Sequence, residues 1–111
     1  MAHLAIDSMR SIRSRDSVFK WLIDNFPASY TVGIWVYGSF LTNSACAQDV
    51  DVLAIYRADR TIDAVQSRKR IERAFEENFG LPLHAIHLSE QEVLEEGDFL
   101  STLLSAAHRL K

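Results

Sequence analysis

Apolar positions along this chain fall either at helical spacing or in short runs, and the changes between them divide it into elements. Within residues 8–26, Ile12, Phe19, Leu22 and Phe26 recur near helical spacing, and Val18, Trp21 and Ile23 widen the stripe. Pro27 ends this predicted helix, because proline cannot continue the hydrogen-bond ladder. Residues 31–38 carry Val32, Ile34, Trp35, Val36 and Tyr37, a β-branched and aromatic run that predicts a strand. A short helical turn is expected from Ser39, and Val50 to Tyr56 predicts a second strand. The next helix is expected to be capped by Thr61 and stopped by Gly80, with Ile71, Ala74, Phe75 and Phe79 as its buried stripe. A third strand follows in Leu83–Leu88. Ser89-Glu90-Gln91-Glu92 then reads as a capping box. Gly97-Asp98 interrupts that helix, and Phe99, Leu100, Leu103, Leu104 and Ala107 carry a final amphipathic one. The order predicts an α/β (α+β) domain, a small mixed β-sheet with helices packed on one face and the other face open near Asp49 and Asp51.

Composition adds bounds. The 111 residues fit one domain, and a hydrophobic share of 48% is enough for one core. A net charge of −3 carries no general nucleic-acid footprint. The basic residues Arg10, Arg13, Arg15 and Lys20, and the run Arg68-Lys69-Arg70, read first as solvated helix faces. A single cysteine, Cys46, excludes an internal disulfide. With no apolar run of about 20 residues and no signal-peptide pattern at its start, the chain is expected to be cytoplasmic.

The candidate chemistry lies between the first two strands. The first strand runs into Gly38-Ser39, and Asp49-Val50-Asp51 opens the second. Side chains two apart on a strand share a face, so Asp49 and Asp51 project together. Two carboxylates on one face suit a hard divalent cation such as Mg²⁺, with waters and phosphate oxygens completing its shell. Gly38 lets backbone amides approach a phosphate, and Ser39 adds a hydroxyl. Trp35 and Tyr37 share one strand face, for packing or, as a second use, base stacking.

The combination resembles the nucleotidyltransferase superfamily related to DNA polymerase beta, in particular its minimal nucleotidyltransferase branch. Gly38, Ser39, Asp49 and Asp51 stand at the positions of that family's Gly-Ser and Asp-x-Asp signature. The resemblance implies a domain that binds a nucleoside triphosphate, ATP by expectation, with Mg²⁺ or Mn²⁺. It also implies transfer of a nucleoside monophosphate to an acceptor hydroxyl. So small a chain is expected to meet its acceptor on a partner; the resemblance suggests a helical HEPN-type toxin, with this chain as antitoxin. A homo-oligomer is the other expected partner. The alternative is a catalytically degenerate member of the fold acting as a protein-interaction module.

Two positions depart from the family pattern. Thr42 and Asn43 stand where an arginine and a glycine are common, and His84 stands where a third carboxylate is expected on the later strand. His87 is the nearby alternative, but alternation places it on the opposite face. Three readings of His84 stand side by side: a general base, the mark of a site that binds without turnover, or a residue packed at the sheet surface.

Overall fold

The computed structural model describes residues 14–111; Ile12, Arg10, Arg13 and the start of the first expected helix lie outside the described residues. Helix α1 spans Arg15–Asn25, and its N-cap Ser14 accepts the Ser17 amide at 3.2 Å. Strand β1, Thr31–Tyr37, leads through Gly38 into a one-turn helix α2, Ser39–Thr42. Strand β2 is Val50–Tyr56. Helix α3 is Thr61–Phe79, and Gly80 closes it in the left-handed region (φ 69°, ψ 16°) with its amide donating to the Glu76 carbonyl.

The expected threonine cap is not formed. A 3-10 turn over Ala58–Arg60 leads into α3, Arg60 is the N-cap, and the Thr61 hydroxyl donates back to the Ala58 carbonyl at 3.3 Å. Strand β3, Leu83–Ser89, ends in the expected capping box, where Ser89 and Glu92 satisfy each other's amides at the start of α4, Glu90–Glu96. Gly97 separates α4 from α5, Asp98–Ser105. A two-residue strand β4, His108–Arg109, follows, which the hydrophobic pattern does not predict.

The sheet order is β3-β2-β1-β4. β2 runs antiparallel to β1 and parallel to β3, with α3 as the crossover, and β4 is antiparallel to β1. The mixed sheet of the sequence-based expectation is therefore present. Strand alternation splits its side chains into two layers. Ile34, Val36, Val50, Val52, Ala54, Leu83 and Ala85 face α1 and α3, against Val18, Leu22, Ile71, Phe75 and Phe79. Leu53, Ile55 and Leu88 face the other way and meet Leu100, with Val93, Leu103 and Leu104 beside it. The two long helices thus cover one face, as expected, while α4 and α5 reach part of the other. That second face stays open at the end carrying Asp51 and His84, whose side chains are 26% and 60% exposed.

Candidate metal centre

Asp51 and His84 meet because β2 and β3 are parallel and in register, Asp51 opposite His84. Equivalent positions on neighbouring strands point to the same face, and Asp49, two residues before Asp51, shares it. His84 Nδ1 lies 3.4 Å from Asp49 Oδ2 and 3.6 Å from Asp51 Oδ1. One ligand atom from each of the three lies within 4.8 Å of the others, so the cluster could hold a metal ion. Among the described residues no other carboxylate, imidazole or thiolate joins it. His87 instead turns toward α1 and α3, its ring 5.7 Å from that of Phe26.

Gly38 has a structural role that the sequence pattern does not disclose. Its φ of 79° with ψ of −161° is open to glycine and strained for other residues. A Cβ built there would lie 2.5 Å from Asp51 Oδ2, so the missing side chain is also the seat of the Asp51 carboxylate. The cross-strand register explains the contact, since Tyr37 pairs with Asp51 and Gly38 follows directly. Ser39 is exposed at the first position of α2, where its carbonyl accepts the Asn43 amide. The first amides of any helix lack intrahelical partners, which leaves such groups at the turn beside Asp51.

The electrostatics are those of an under-compensated pair of acids. Burial, then the charge of Asp49, pushes the Asp51 carboxyl above its ordinary pKa, and His84 partly offsets both. Tyr37 is raised as well, first by burial and then by Asp51. Tyr37 pairs directly across the strands with Asp51 and so flanks the cluster as well as packing; the signal in the sequence is its place immediately before Gly38, one strand position from the turn. Trp35, on the same face, has the Arg109 guanidinium 5.0 Å from its ring centre, a cation–π contact.

Two cavities, of about 320 Å³ beside Lys20 and Trp21 and about 220 Å³ beside Tyr30 and Arg70, lie among other residues. Cys46 is exposed and free. No helix among the described residues is long and apolar enough to cross a membrane. Comparison with known proteins returned no match to a family model, to a curated protein or to a solved structure.

Proposed function

We propose that the chain is a nucleotidyltransferase-type domain that binds a nucleoside triphosphate, with ATP as the first candidate, together with Mg²⁺ or Mn²⁺. The observation that carries this reading is the convergence of Asp49, Asp51 and His84 against the Gly38 turn. The donor set fits a divalent ion, since two carboxylates and an imidazole supply negative charge and three ligand atoms on one face. Once bound, such an ion neutralises charge on phosphate oxygens and polarises phosphorus toward attack. Asp49 and Asp51 fix the position of that charge. Gly38 lets the main chain come close to the triphosphate, and the Ser39 hydroxyl and the first amides of α2 donate to its oxygens. Transfer would form a bond between an acceptor oxygen and the α-phosphorus as the bond to pyrophosphate breaks. A partner protein, of the helical toxin kind suggested by the sequence, would carry the acceptor hydroxyl.

A second reading is a degenerate site on a protein-interaction module of antitoxin type. Two observations favour it: an imidazole stands where a third acid would balance two cations, and Leu94 and Phe99 at the α4–α5 corner are 79% and 54% exposed.

Calorimetric titration of ATP with Mg²⁺ or Mn²⁺ tests the nucleotide site, and a transfer assay separates the two readings. Binding is expected in the wild type and should weaken about tenfold or more in both Asp49→Asn and Asp51→Asn, with unchanged circular dichroism. ATP affinity equal in all three proteins would overturn the nucleotide reading. Incubation with labelled ATP and cell lysate then reports transfer, which should label a protein band in the wild type alone.

A further inference from the structure

We propose that Asp49, Asp51 and His84 bind one transition-metal ion of the Mn²⁺-to-Zn²⁺ series in preference to Mg²⁺, with His84 Nδ1 as a ligand rather than a base. The inference rests on the metal-dependent reading above and narrows its cation.

The donor set comes first. Mg²⁺ takes oxygen ligands, demands near-ideal octahedral geometry and gives up its waters reluctantly, so an imidazole adds little to its binding. Imidazole nitrogen favours Zn²⁺, Fe²⁺ and Ni²⁺, and Mn²⁺ accepts it alongside carboxylates. With no further carboxylate, imidazole or thiolate in the cluster among the described residues, one of its three ligands is nitrogen.

Spacing comes second. Ligands held 2.0–2.2 Å from an ion sit about 3.3–3.6 Å apart at the corners of a tetrahedron. The two His84 separations, 3.4 and 3.6 Å, match that edge. Both run to the same nitrogen, Nδ1, so the ring already presents one atom to both carboxylates. Direct charge-assisted hydrogen bonds would draw these atoms closer, to about 2.7–2.9 Å.

Charge comes third. Two carboxylates balance one dication, while a second dication beside a neutral imidazole would leave a surplus of two positive charges. Among the described residues His84 is the one basic group within 4 Å of either acid, so no lysine or arginine competes for the carboxylates. The side chain of His84 is 60% exposed, which leaves the far side of the ion to water or phosphate oxygens.

The test uses the full chain after chelator treatment, without nucleotide. MnCl₂, ZnCl₂ and MgCl₂ are titrated by calorimetry, with electron paramagnetic resonance as an independent count of bound Mn²⁺. Wild type is compared with His84→Ala and His84→Asp. The expected result is one ion per chain, with Zn²⁺ tighter than Mn²⁺ and both tighter than Mg²⁺. His84→Ala should cost Zn²⁺ and Mn²⁺ about tenfold or more and change Mg²⁺ little, and His84→Asp should move the preference toward Mg²⁺. Both variants alter an exposed side chain, and thermal melts confirm their folding.

Mg²⁺ binding as tight as Mn²⁺ in the wild type, Zn²⁺ and Mn²⁺ affinities that His84→Ala leaves unchanged, or binding of none of the three would overturn the proposal. Its fate is separable from that of the nucleotide reading. The cation preference without ATP binding would remove the nucleotide and keep this inference. ATP binding supported equally by Mg²⁺ and Mn²⁺ would do the reverse.

Discussion

Gly38 and Asp51 act as a pair. The positive φ at position 38 would by itself strain any other residue, and the Asp51 carboxylate occupies the volume a Cβ would take. Gly38→Ala is therefore expected to cost about 1–3 kcal/mol of stability and to push Asp51 out of the cluster. A double-mutant cycle with Asp51→Gly separates the causes: the steric part should vanish in the double variant, and the backbone part should remain. Additive losses in thermal melts would show that the two residues do not touch. Gly38, Ser39, Asp49 and Asp51 all stand out in the sequence as a motif. The seating of Asp51 on Gly38 does not, because it depends on β1 pairing with β2 in one register.

Strand β3 shows how one element divides the same chemistry between two environments. His84 and His87 are three residues apart, so alternation turns them to opposite faces, as their spacing in the sequence predicts. His87 lies between the layers with its Nδ1 buried and without a hydrogen-bond partner, beside the rings of Phe26 and Tyr56. Burial first, and then the positive charge of Arg68, lowers its pKa to about 4. The folded state therefore refuses a proton that the unfolded chain accepts below the ordinary value of about 6.5. Stability from this group is intact above that pH and falls as pH drops from 6.5 through 4, by at most about 3 kcal/mol. His87→Phe should flatten this part of the stability–pH curve relative to wild type in denaturant titrations, and parallel curves would refute the assignment. Helix boundaries were less legible than faces. Thr61 has the residue type of a cap, but a 3-10 turn already leads into the helix one residue earlier, a matter of local backbone that residue preference does not encode.

At the scale of the whole molecule, the C-terminal tail finishes the sheet. Leu110 donates to the Ile34 carbonyl at 2.8 Å, the Ile34 amide donates to Lys111 at 3.1 Å, and Arg109 covers Trp35. Removing residues 108–111 should cost about 1–3 kcal/mol, from the lost main-chain pairing with β1 and the packing of Arg109. It should also bare one edge of β1, so pairing between chains is expected to rise with concentration in sedimentation experiments. Unchanged melting and sedimentation would mean that the tail is dispensable. This strand was hidden in the sequence because two residues are too few to show a pattern, whereas the seven-residue β1, β2 and β3 carry enough apolar positions to read as strands. The mixed sheet was legible, and so was the openness at its acidic end. The partial cover from α4 and α5 was not, because an amphipathic stripe says that a helix packs without saying on which face.

The parallel pairing of β2 with β3 has a kinetic consequence. Asp51 and His84 are joined through the whole of α3, so they meet only after the long crossover between β2 and β3 has closed. Contacts of that sequence separation form late, because the entropy of closure is spent before they contribute. A ligand bridging the two residues would thus act as a latch on a joint that shuts late. It would add little to the speed of folding and would mainly lengthen the lifetime of the folded chain by slowing its opening.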